Sequence, residues 1–174
     1  MKILSDNPPE NSQGYFKVHK LTLQNKKNRQ VVREYLNSKD AACAIVFDTV
    51  RNKYLFVKQF RPGPKIPLIE ACAGMLDHSS EDSLETMKRE IVEELGYQVD
   101  TINLLIKPYY TSPGKTNEKM ITYFATVSKK IAQGGGLESE NEEIDIVELT
   151  KEEVRKTEFM DGKTLLALCV LKLK

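Results

Sequence analysis

Between Asp82 and Leu95 the chain carries a helical pattern whose acidic residues crowd toward its end, set among segments that alternate as strands do. Leu84, Met87, Ile91, Val92 and Leu95 recur at helical spacing, and Gly96 stands where a C-cap would. Ser80 or Ser83 could cap the start. Upstream, Phe16–Leu23 alternates with period two, the polar Asn25-Lys26-Lys27-Asn28 turns, and Gln30–Leu36 returns as a hairpin. Strands are predicted at Ala41–Phe47 and Tyr54–Gln59, and an extended run Leu68–Ala73 stops at Gly74. Downstream, Thr101–Ile106 and Lys119–Val127 read as strands around an irregular Tyr110–Gly114. Gly134-Gly135-Gly136 leads into the acidic run Glu138–Glu143, and these glycines would permit the movement of an active-site loop. A short strand Ile144–Leu149 and helices at Lys151–Thr157 and Gly162–Leu171 finish the chain. Residues 5–14 are turn-formers and read as a loop or mobile arm. Strands at the front and few helices give an α+β or α/β sandwich, and 174 residues suit a single domain.

Composition excludes several roles. With 26 Lys+Arg against 25 Asp+Glu, the net charge is +1, so no protein-wide field gathers nucleic acid or an anionic membrane. The longest apolar stretches, such as Ala41–Phe47, are too short to span a bilayer, and the opening residues lack a signal-peptide core. Cys43, Cys72 and Cys169 lack metal-ligand spacing and sit beside apolar neighbours, so buried free thiols in a reducing cytoplasm are expected. His19 and His78 cannot build a multi-histidine zinc site.

The chemistry lies in Arg89-Glu90-Ile91-Val92-Glu93-Glu94-Leu95-Gly96. One turn apart, Glu90 and Glu94 project from one face with Glu93 beside them. Their mutual repulsion weakens a bare helix, and a divalent cation removes that penalty, because Mg²⁺ accepts carboxylate oxygens together with water and phosphate. Alone, this pattern is commonly a solvated acidic face. Its surroundings decide otherwise. Glu81, seven residues, Arg-Glu, an apolar residue, any residue, Glu-Glu, any residue and Gly closely resemble the Nudix box. One departure is plain: six residues, not five, separate Gly74 from Glu81.

The resemblance extends over nearly the whole chain. Lys2–Asp6, Gln59-Phe60-Arg61-Pro62, Glu70–Gly74, Ser112-Pro113-Gly114 and Asp161-Gly162-Lys163-Thr164 resemble the ADP-ribose/nucleotide-sugar branch, and most of all its members acting on GDP-mannose. It implies an α+β fold, an α/β/α sandwich in which a mixed central sheet carries the Nudix-box helix and an N-terminal antiparallel hairpin. Residues 1–38 would form an arm and hairpin that join a homodimer. It also implies that Glu90, Glu94 and the Ala73 carbonyl ligate Mg²⁺, or Mn²⁺ as a substitute, with Glu93 as ligand or support. Arg89 would hold a box glutamate by ion pairing, and Glu81 would support the loop. The catalytic acid would come from the later acidic loop: Glu142, which would also bind metal, is favoured slightly over Glu140. Arg61 would pair with phosphate. Arg33, Glu34, Tyr15, Glu118 and Lys163 would contact the substrate. The expected reaction is hydrolysis of a nucleoside-diphosphate sugar, with GDP-mannose ahead of ADP-ribose. Triphosphate or cap cleavage, and a catalytically silent binding module, are the alternatives.

Overall fold

The computed structural model describes residues 2–7, 17–76, 82–136 and 143–174. Two sheets form. β1 (Lys2–Asn7), β2 (Lys17–Gln24) and β3 (Gln30–Asn37) make an antiparallel three-stranded sheet. The larger sheet contains β4 (Ala41–Asp48), β5 (Lys53–Arg61), β8 (Tyr97–Tyr110), β9 (Lys119–Lys130) and β10 (Asp145–Leu149), in the order β10-β5-β4-β9-β8. Onto it pair β6 (Ile66–Glu70), beside β5, and β7 (Cys72–Met75), beside β4. The β4–β9 pair is parallel and the others antiparallel, so the sheet is mixed, as expected.

β4 explains the layering. Its sequence Ala-Ala-Cys-Ala-Ile-Val-Phe-Asp is apolar almost throughout, the pattern of a strand covered on both faces. Ala42, Ala44 and Val46 join one core with Met87, Ile91, Leu95 and Tyr97, beneath α1 (Ser83–Glu90). Ala41, Cys43 and Ile45 join the other with Phe56, Val154, Ala167 and Leu168, beneath α2 (Lys151–Lys156) and α3 (Gly162–Val170). The result is an α/β/α sandwich. Among the described residues, no helix is long and apolar enough to cross a membrane.

Two local expectations are corrected. Ser5, Asp6 and Asn7 belong to β1 rather than to a loop, paired with Thr22, Leu21 and Lys20. Their weak strand propensity is overridden by tertiary contacts, including a 2.8 Å bond that the Tyr35 hydroxyl donates to Asp6. Cys43 and Cys72 are buried as expected, but Cys169 is exposed. Burial pushes the Cys43 thiol up to about 11 and Cys72 well above its ordinary value, with the Glu94 carboxylate adding to the latter. Thiolate is the reactive form. A thiol reagent at neutral pH is therefore expected to modify Cys169 alone in the native protein and all three cysteines after denaturation, as counted by mass spectrometry.

Candidate active site

α1 begins at Asp82, whose side chain accepts from the Leu84 amide and caps it. Ser83 instead bonds the Tyr123 hydroxyl at 2.7 Å. The helix then widens into a π-helical turn, Ile91–Leu95, closed by Gly96 in the left-handed conformation. Such turns recur at functional sites, and this one carries Glu93 and Glu94.

The loop after β9 docks against the end of this turn. The amides of Gly135 and Gly136 donate to the carbonyls of Glu94 and Glu93 at 2.8 and 3.1 Å, satisfying groups that a helix end leaves orphaned. Gly134 takes φ +76, and a Cβ there would stand 2.7 to 2.9 Å from Leu95 C, Glu94 O and Gly96 N. Gly134 thus supplies a close backbone approach, and all three glycines adopt positive φ. Gly134→Ala combines a left-handed alanine with a backbone clash and is expected to cost about 2 kcal/mol or more. A thermal melt should show Tm lower by roughly 4–8 °C.

α1 and its π-turn also pack against β7, with Ala73 and Gly74. Glu90 lies against Gly74 so closely that a Cβ on the glycine would fall 2.0 Å from Oε1. Glu94, only 3% exposed, accepts a 3.2 Å bond from the Ala73 amide. The two carboxylates therefore meet adjacent residues of one strand and face the same way. The described contact at Ala73 runs through its N–H, whereas the family resemblance points to its carbonyl. Arg89 binds Glu90 at 2.9 Å and Glu93 at 2.8 Å, bracketing two of the three acids. Among the described residues, no group of three acidic, thiol or imidazole side chains closes round a point able to hold an ion. A partial set suits Mg²⁺, which keeps several waters and takes one or two carboxylates plus substrate oxygens.

A second cluster adjoins this face. Glu70, 1% exposed at the end of β6, accepts from Arg61 Nε at 2.7 Å and Nη2 at 2.8 Å, and from Lys163 Nζ. Asp161 holds the same Lys163 at 3.1 Å and caps α3 through the Thr164 amide and hydroxyl. Thr164 in turn accepts from the Ala71 amide at 2.7 Å, fastening α3 to the segment between β6 and β7. Burial pushes the Glu70 carboxyl up, but the Arg61 and Lys163 bonds and charges outweigh it and hold the carboxyl below its ordinary value. The Arg61 guanidinium is raised, chiefly by its bonds to Glu70, with the charge of Glu94 among the lesser causes. Arg61 therefore lies within electrostatic reach of the glutamate face. Glu118 is raised by burial, against the opposing pull of a Thr111 bond and the Lys163 charge.

Arg61 and Lys163 thus share Glu70, Arg61 feels the charge of Glu94, and Glu118 feels that of Lys163. Arg33 and Glu34, exposed on β3, bond to neither cluster: Arg33 donates to Val32 O, and Glu34 sits 4.0 Å from Lys20. Glu34 lines a cavity of about 260 Å³ with Val18, Tyr35, Leu36, Gly114 and Lys115, in which Arg33 takes no part. The loop walling that cavity continues to Glu118 and is held to β3 by a Leu36 N–H bond to Lys115 O. Tyr15, Glu81, Glu140 and Glu142 lie outside the described residues, as does His78. Glu70 and Asp161 stand in segments that carry the resemblance, but the sequence assigns neither an individual role. The available signal was a carboxylate inside the apolar run Leu68–Ala73, because a buried charge requires partners.

The chain matches the NUDIX domain over residues 37–168. It belongs to the Nudix family. A GDP-mannose pyrophosphatase of Escherichia coli strain K12 is 31% identical, across 98% of this chain and 92% of that relative. One from Yersinia enterocolitica is 33% identical, across 90% and 88%. A solved structure described as an ADP compounds hydrolase matches with a TM-score of 0.79 at 18% identity, covering 98% of this chain and 91% of its own, a likeness of fold. As a Nudix hydrolase the protein acts on pyrophosphate bonds, the reaction class expected from its sequence.

Proposed function

We propose that this Nudix hydrolase is a Mg²⁺-dependent pyrophosphatase of nucleoside-diphosphate sugars, with GDP-mannose the preferred substrate. The observation that carries the reading is the convergence of Glu90 and Glu94 on Ala73–Gly74, with the Arg61–Lys163 pair close by. Similarity to GDP-mannose pyrophosphatases over nearly the whole chain supports the sugar nucleotide.

A diphosphate repels nucleophiles with its own charged oxygens. Mg²⁺, or Mn²⁺ in its place, would supply the neutralising charge and activate water when bound through Glu90, Glu94, the Ala73 carbonyl and Glu142, with Glu93 as ligand or support. This chain's own groups do the rest. Arg61 presents a planar fork suited to phosphate oxygens, and Lys163 adds a point charge. Arg89 restrains Glu90 and Glu93 against their repulsion. Glu142, or Glu140, takes the proton as water attacks phosphorus in line with the departing phosphate. The P–O–P link breaks to give a nucleoside monophosphate and a sugar 1-phosphate. Arg33 and Glu34 would reach the base or phosphates, and Tyr15 and Glu118 would add further substrate contacts.

Incubation with Mg²⁺ and a nucleotide-sugar panel tests this, with monophosphate release fastest from GDP-mannose. Silence across the panel ends the proposal. ADP-ribose is the second reading, with AMP and ribose 5-phosphate as products, and the fold likeness to an ADP compounds hydrolase favours keeping it. A silent binding module is disfavoured by retention of Glu90, Glu93 and Glu94.

We further place the protein in the cytoplasm as a homodimer joined through residues 1–38. Exposed Ile3, Leu4, Val18 and Val32 on the three-stranded sheet support that contact. Light scattering reporting a monomer would exclude it.

A further inference from the structure

We propose that Glu70 is a positioning residue for substrate: it sets the orientation of Arg61 and Lys163 so that both cations present their remaining donors to the same diphosphate. This rests on the pyrophosphatase reading above, and assigns a role to a buried residue that acts through two others.

The geometry points to it in three steps. First, Glu70 is 1% exposed, so its carboxylate must be saturated by partners within the fold. Arg61 fills both oxygens side-on, through Nε and Nη2, and Lys163 binds Oε2 as well. Second, a guanidinium is planar and holds five donors in a fixed array. With the Nε/Nη2 edge committed to Glu70, the Nη1/Nη2 edge is the one left for an anion, and its direction is dictated by the Glu70 plane. Arg61 is 39% exposed at the side chain, so that edge is reachable. Third, Lys163 carries three donors. Glu70, at a strand end, accepts from one, and Asp161, at the first turn of α3, holds the same ammonium by charge at 3.1 Å. Pinned from these two sides, the ammonium has its remaining donors restricted in direction as well. One buried carboxylate, held between β5 and α3, fixes the relative placement of two cations about a hundred residues apart in sequence.

A competing effect has the opposite sign. Glu70 also neutralises its partners, so removing its charge raises the positive field and would tighten anion binding if orientation were immaterial. The experiment separates these. In the full-length protein, KM and kcat for GDP-mannose and the calorimetric Kd for inorganic pyrophosphate in Mg²⁺ are measured for wild type, Glu70→Gln, Arg61→Lys and the double variant. Glu70→Gln is expected to raise KM and Kd about tenfold or more, the worth of one well-made charged hydrogen bond. Turnover should stay within about threefold, since the orientation serves ground state and transition state alike. Arg61→Lys, which keeps charge but loses the fork, should do the same, and the double variant should be no worse than either single one.

Unchanged or tighter pyrophosphate binding in Glu70→Gln overturns the proposal, as do additive losses in the double variant. If Glu70→Gln does not fold, Arg61→Lys decides: wild-type pyrophosphate affinity there means that orientation is irrelevant. Wild-type protein that binds pyrophosphate with this dependence on Glu70 yet cleaves no nucleotide sugar would defeat the functional reading and spare this one.

Discussion

Gly74→Ala should leave the protein folded and weaken the response of its turnover to Mg²⁺. The new methyl carbon would occupy the place of the Glu90 carboxylate, 2.0 Å from Oε1, 2.1 Å from Cδ and 2.4 Å from Cγ. No backbone atom is among those neighbours, so relief comes from swinging one flexible acid away rather than from shifting a strand. The Mg²⁺ concentration giving half-maximal activity should rise by at least about tenfold, as changes at the shell around metal ligands do. Tm should move by no more than a few degrees. A melt collapsing alongside activity would mean that Gly74 serves the sheet, and normal activity would remove Glu90 from the metal face.

Glu94→Gln is expected to lower kcat about 100-fold or more, since even outer partners of metal ligands cost 10- to 100-fold. The substitution keeps the shape of the side chain and an oxygen able to accept from the Ala73 amide, so the local fold is preserved. What disappears is the charge on a nearly buried group. Full activity of this variant would end the assignment of the metal site. Excess Mg²⁺ restoring part of the rate would point to weakened binding, and no recovery would point to a role in the reaction itself.

The legible parts of this protein are local. Leu84, Met87, Ile91 and Leu95 announce the helix because periodicity needs only neighbouring residues. β4 was visible as an unbroken apolar run for the same reason. Contacts made across the chain were not. The π-turn at Ile91–Leu95 ends in carbonyls taken up by Gly135 and Gly136, some forty residues later. Nothing inside Ile-Val-Glu-Glu-Leu announces it. Alternation predicts only Thr101–Ile106, yet β8 runs from Tyr97 to Tyr110, because its pairing with β9 shifts register repeatedly and each shift breaks the alternation of faces. Arg61 and Lys163 were found as cations, but their shared carboxylate was not. Its partners come from one preceding strand and one distant helix, a meeting no spacing rule encodes.

The double-sided burial of β4 has a consequence for how such a protein can change. The glutamate-bearing helix leans on one side of that strand, and α3, with Asp161 and Lys163 at its start, leans on the other. The strand is a party wall between the room proposed to grip the cation and the room proposed to steady the phosphate. Loops in either room can lengthen, or swap side chains for a different sugar, while the spacing across the wall stays the same. Specificity can drift there without dismantling the chemistry, but a larger residue within the wall itself disturbs both rooms at once.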